Sequence, residues 1–307
     1  MSGERVTRDE LRGKVQRRVR AGIVNEMRAF VHARHLHLWG EHQPGSYLLD
    51  SLYLTLYHDL FNIGYNEIFE RVQRWYPNSM HSLHHNTQAL RLELKDWASG
   101  VIELGELDDW IEDAEDTQPD QAPEDVNIWA DSVDYQIQGR RSSGKKSDKW
   151  SYKLNAPGRR YMIFRNGSGK VIKIFGGYSP KIRDYMWIEE RADWINESLE
   201  GATLIGDNDW RVGMAHLDPE LVTVHAPHAE PRGRRRDDAD MAVLTDAQRR
   251  YNAQVQRKRA RIENYFATSR SKFEALQQAW AEDEDQLDAL VWYAAAVMNR
   301  MKDLRNQ

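Results

Sequence analysis

The sequence predicts an α/β domain with a mixed sheet, preceded by an all-helical region. Apolar residues recur at three and four through the first hundred positions. After residue 127 they gather instead into short β-rich runs parted by Gly, Ser and Pro. Between the two patterns lies an acidic stretch containing prolines, which sets a boundary. At 307 residues and 40% hydrophobic content, the chain can bury a sizeable core.

Residues 1–45 form a basic segment in which arginines alternate with Val, Leu and Phe, as one or two amphipathic helices would. Such a face serves either solvent or nucleic acid. Residues 46–102 continue the helical period, with Pro77 and Asn78 ending one helix and starting the next. Met80, Leu83, Leu90, Leu94 and Trp97 are expected to share a face. Packed helices joined by a tight turn suit a helix-turn-helix and equally a small bundle. His81, His84 and His85 are grouped by their spacing but lack an acidic partner nearby, so surface or phosphate-facing positions are expected rather than a metal site. Residues 103–126 read as a linker: Glu106 to Asp125 holds ten acidic residues and no basic one.

Residues 127–307 carry the second pattern. NIWADSVDYQIQG, RRYMIFRNG and KVIKIFGGY are predicted strands, with a hairpin turn at Asn166-Gly167. A helix is expected from Pro180 to Leu199, then strands in ATLIGD and VTVHAP, then a long helix over 244–273. An apolar-faced helix over 286–304 ends the pattern and either packs on the domain or makes a homodimer contact.

Composition narrows the chemistry. The absence of cysteine excludes disulfides, thiolate metal sites and cysteine nucleophiles. There is no run of 18 apolar residues, and the charged N-terminus lacks a signal-like apolar region, so an intracellular protein without membrane association is expected. The net charge of -5 hides basic clusters at Arg140, Arg141, Lys145, Lys146 and Lys149, at Arg159 and Arg160, and at Arg232, Arg234, Arg235 and Arg236. Clusters of this kind grip phosphates without reading bases. The last also suits nuclear import.

Two predicted strands carry carboxylates where apolar residues are expected: Asp131 within its strand and Asp207 just past ATLIG. A carboxylate at a sheet core is costly unless it is paired or bound to a cation. With Glu263 on the following helix, the three offer oxygen ligands for Mg²⁺ or Mn²⁺.

The order of motifs from Asn127 to Phe273 resembles the catalytic domain of PIF/Harbinger-type DDE transposases and their domesticated nuclease relatives. IWADSVDYQI is similar to the first-aspartate strand, with Ser132 in place of the usual glycine. FGGYSPKIRDYMWIE resembles the glycine segment, with Gly177 and Asp184. LIGDNDW supplies Gly206, Asp207 and Trp210. In YNAQVQRKRARIENYFATSRSKF, the residues Asn252, Arg259, Glu263, Phe266, Lys272 and Phe273 fill the pattern around the third acid.

The resemblance implies a ribonuclease H-like sheet in which Asp131, Asp207 and Glu263 are catalytic and hold two divalent ions. Asp184, Arg259 and Asn252 would support them, and Arg140, Arg141, Lys145, Lys146, Arg159, Arg160, Arg270 and Lys272 would contact DNA. The implied activity is hydrolysis of DNA at transposon ends, followed by joining of the 3′-hydroxyl to target DNA. A separate Myb-like partner and a nuclear location are also implied. The alternative is a domesticated DNA- or chromatin-binding protein that keeps the fold without the catalysis.

Overall fold

The computed structural model describes residues 5–35, 45–76, 79–102, 127–138, 147–228, 244–277 and 284–306. The expected linker at 103–126, the Pro77-Asn78 break, Arg140, Arg141, Lys145 and Lys146, and the arginines at 232–236 lie outside these residues.

Five helices open the chain: α1 (Arg8–Gln16), α2 (Ala21–His35), α3 (Gly45–Phe61), α4 (Tyr65–Val72) and α5 (Met80–Val101). Helix α1 starts where Thr7 and Glu10 bond reciprocally to each other's backbone N–H groups, and α5 starts at Ser79, whose hydroxyl accepts from Ser82 N. Helix α3 is buried along most of its length, from Leu48 to Leu60, and so forms the middle of this layer. On α5, Leu83, Leu90, Leu94 and Trp97 are buried as expected. Met80 is 43% exposed, because it occupies the first helical position, before the packed turns begin.

The sheet contains β1 (Asn127–Gln136), β2 (Trp150–Ser151), β3 (Ala156–Arg165), β4 (Val171–Tyr178), β5 (Thr203–Ile205) and β6 (Thr223–His225). Strand β3 pairs antiparallel with both β1 and β4, while β5 runs parallel to β1 and to β6, and β2 extends the start of β3. Three antiparallel strands continued by two parallel ones make the ribonuclease H-like mixed sheet. The helix expected over 180–199 is two helices, α6 (Asp184–Glu190) and α7 (Ala192–Ser198), which part at Arg191, where φ is -122° and ψ is 14°. Helix α8 (Asn208–Gly213) follows β5, and α9 (Asp246–Lys272) and α10 (Glu284–Asn306) complete the chain.

Alternation along β1 divides the apolar residues between two cores. Ile128 and Ala130 join Met162, Phe164, Trp187, Ile195 and Trp210 under α6 to α8. Trp129, Val133 and Tyr135 join the larger core, shared with α1 to α5, α9 and α10. The N-terminal helices therefore cover one face of the sheet. Within that core, fully buried Asp59 and Arg91 pair at 2.5 and 3.0 Å, and the Tyr293 hydroxyl donates to Asp59, tying α3, α5 and α10 together. Burial alone would raise the Asp59 carboxyl, but Arg91 and His58 more than offset it and hold the group well below the usual carboxylate range. No helix among the described residues is long and apolar enough to cross a membrane.

Candidate active site

Sheet register brings the first two acids together. The β1–β5 pairing ends at Trp129 opposite Ile205, so Asp131 and Asp207 each stand two residues beyond it on neighbouring segments. Asp207 caps α8, its Oδ1 accepting from Asp209 N at 2.9 Å. Gly206 makes this turn possible: a Cβ there would stand 2.2 Å from the buried Trp210 ring. The third acid is Asp184, at the start of α6. Asp131, Asp184 and Asp207 each place a carboxylate oxygen within 4.8 Å of the others, the group among the described residues suited to a metal ion.

The surroundings of this cluster are electrostatically unfinished. Asp131 and Asp184 are only 7% and 3% exposed. Burial raises the Asp131 carboxyl above its ordinary value, and Asp207 adds to the rise against the pull of Arg259 and Lys153. Burial, then the Asp207 charge, pushes Asp184 up to about 6, opposed by Lys153, Ser132 and Arg160. Asp184 Oδ2 is buried without a hydrogen-bond partner. Crowded carboxylates, one with an unmet oxygen, fit a hard divalent cation bound through oxygen.

Neighbouring acids are already engaged. Asp134 lies directly opposite Arg160 across the β1–β3 pair and receives its guanidinium at 2.7 and 3.1 Å. Asp209 receives Arg183 at 2.5 and 3.1 Å. Neither belongs to the group of three whose oxygens lie together.

Glu263 stands outside the cluster, on α9, with its side chain 48% exposed. Arg259, one turn before it, links the two sites: its Nη2 lies 3.2 Å from Asp131 Oδ2 and 3.7 Å from Glu263 Oε1. Asn252 supports a different place. It accepts from His228 N at 2.7 Å and donates to His228 O at 2.9 Å, fixing the chain just after β6.

The expected phosphate-gripping residues that fall among the described ones have partners within the chain. Arg159 pairs with Glu284, and Arg160 with Asp134. Arg270 donates to Asp134 O at 3.1 Å and lies over the Tyr135 ring. Lys272 is half-buried against Met301, and burial beside Arg305 and Arg18 pushes its pKa down to about 8. His81, His84 and His85 belong to no metal-suited group among the described residues.

One cation at the site escaped the sequence reading. Lys153, in the turn after β2, places its Nζ 3.2 Å from Ser132 Oγ and bears on both Asp131 and Asp184. Its only signal in sequence is the polar turn between two short extended runs. Ser132, the departure from the expected glycine, thereby joins the network.

A ribonuclease H-like mixed sheet with one aspartate within β1, one just past β5 and one at the start of the helix after β4 is the layout of a class of phosphodiester-cleaving domains. Residues 130–299 match the family described as DDE superfamily endonuclease, and with more than half its length matched the chain belongs to that family. No curated protein and no solved structure matches it.

Proposed function

We propose that the chain is a metal-dependent DNA endonuclease and transposase, cutting phosphodiester bonds at transposon ends and joining the freed 3′-hydroxyl to target DNA. The observation that carries this reading is the convergence of Asp131, Asp184 and Asp207, with one buried carboxylate oxygen lacking a partner. Asp131, Asp184 and Asp207 would hold a divalent ion, Mg²⁺ or Mn²⁺. Glu263 would complete the ligands for a second ion once Arg259 releases it. Bound ions of this kind supply a hydroxide or alkoxide nucleophile near neutral pH and stabilise the leaving oxygen.

The residues of the chain prepare that chemistry. Asp207 is held in place by its cap bond to Asp209 N, and Asp131 by a 2.8 Å bond from Ser132 N. Arg259 pulls the Asp131 carboxyl down against the larger effect of burial before ions arrive, and is placed to meet phosphate afterwards. Arg160 bonds both oxygens of Asp134 and Ser151 Oγ adds a bond to Oδ2, which keeps a further acid from competing for the ion. A Myb-like partner, a homodimer contact and a nuclear location belong to the same proposal, supported by the resemblance of the motifs.

The test is cleavage of supercoiled and terminal-repeat DNA with Mg²⁺ or Mn²⁺, comparing the wild type with Asp131→Asn, Asp184→Asn and Glu263→Gln. Loss of cleavage in Asp131→Asn is expected. Equal cleavage by wild type and Asp131→Asn would sink the reading. Full activity in Glu263→Gln with loss in Asp184→Asn would reduce the ligand set to the three aspartates.

A further inference from the structure

The β2–β3 hairpin is held down on both sides of its tip. Ser151 Oγ donates to Asp134 Oδ2 at 2.5 Å and accepts from Leu154 N at 3.1 Å. Gly158 presses against the β1 backbone so closely that a Cβ would lie 2.9 Å from Tyr135 O. Asn155 closes the turn with φ 50°, a conformation asparagine tolerates better than most residues.

Between these anchors, Tyr152 and Lys153 stay exposed. Tyr152, at 71%, is the most exposed large hydrophobic residue among those described. Lys153 stands beside the aspartate cluster, yet its ammonium donates only to Ser132 Oγ and, at 3.4 Å, Ser132 O, and it forms no ion pair among the described residues. The turn thus places a cation at the acid cluster and carries, next to it in sequence, an exposed aromatic residue.

We propose that this tip is a strand-binding site for DNA, in which Lys153 takes a phosphate oxygen at the cluster and Tyr152 stacks on the base of an adjoining unpaired nucleotide. The proposal rests on DNA being the substrate. The chemistry fits because an ammonium on a short turn neutralises one phosphate, while an exposed aromatic ring can stack on any base. The rival role for Lys153 is that of a counter-ion for the aspartates, with no contact to substrate.

The experiment is fluorescence anisotropy with Ca²⁺ in place of Mg²⁺, on labelled duplex DNA with and without a single-stranded overhang, run from low to moderate salt. Tyr152→Ala should weaken binding to the overhang DNA about 5- to 150-fold and leave the blunt duplex unchanged. Lys153→Ala should weaken both and reduce the salt slope by about 0.9, with Lys153→Arg restoring it. A Lys153→Ala protein with altered Mn²⁺ affinity but unchanged DNA affinity and salt slope would establish the counter-ion role and overturn the proposal, as would a wild type that binds no DNA. Cleavage by the same variants separates the two readings. If Asp131→Asn stops cutting while the hairpin variants bind and cut normally, only the hairpin proposal fails. If the wild type binds through the hairpin and never cuts, the nuclease reading fails and the strand site stands.

Discussion

Removing Arg259 should tighten metal binding at the aspartate cluster. Arg259 Nη2 lies 3.2 Å from Asp131 Oδ2, where its side chain is 15% exposed and that of Asp131 is 10%. At an effective dielectric constant of about 20, a pair at that distance attracts by about 5 kcal/mol. A divalent ion taking Asp131 displaces part of that attraction, and the guanidinium recovers some of it at Glu263, 3.7 Å away. The net competition is then of the order of 1–3 kcal/mol, equivalent to about 5- to 150-fold in affinity. Arg259→Met keeps the aliphatic stem and removes the charge. Calorimetric titration with Mn²⁺ at pH 7.5, with Asp131→Asn as the control, should show the tightening in Arg259→Met alone. Unchanged or weaker Mn²⁺ binding would refute competition and make Arg259 an organiser of the site.

Other outcomes follow from the same structure. With Asp184 near 6 in the folded chain against an ordinary value of 3.8, the folded state keeps a proton that the unfolded state has lost between those values. The metal-free protein should therefore gain up to about 3 kcal/mol from this group on acidification from pH 7 to below 4, and lose it as pH rises through about 6. Urea titrations of wild type and Asp184→Asn across that range would isolate the contribution, and Mn²⁺ affinity should rise with pH over the same window. Asp59→Asn leaves the Arg91 guanidinium buried without its counter-charge and should cost about 3–5 kcal/mol, whereas Asp59→Leu combined with Arg91→Met should recover most of it. If the single variant unfolds in urea at the wild-type midpoint, the pair is not holding the layer. Gly206→Ala drives a methyl group into the Trp210 ring and should destabilise by about 1–3 kcal/mol while weakening Mn²⁺ binding, since Asp207 is the next residue.

Much of the architecture was legible because its signals are local. The change of period at residue 127 and the hairpin turn at Asn166-Gly167 each act within a few positions. Asp131 and Asp207 were legible as carboxylates interrupting apolar runs. Asp184 was visible as part of a motif, but its place beside them depends on where β4 delivers the chain, which no spacing encodes. The fate of Arg160 was hidden for a related reason. Only the β1–β3 register puts it opposite Asp134, and a basic pair in sequence looks the same whether it faces solvent or a buried acid. Lys153 was missed because β2 is two residues long and leaves no periodicity to find. The helical region shares its core with the sheet because α10 returns across α5, a long-range contact that helical periods cannot announce.

That return has a consequence for synthesis of the chain. Lys95 on α5 bonds to Asp288 on α10, 193 residues later, and Asp59 waits 234 residues for Tyr293. At about 5–20 residues per second, roughly 10–40 s pass between the emergence of the apolar faces of the leading helices and the arrival of the helix that covers them. Throughout that interval Asp59 and Arg91 have each other, while the apolar faces around them have no cover from α10. A chain truncated before α10 should therefore expose these apolar faces and aggregate, not fold as a smaller domain.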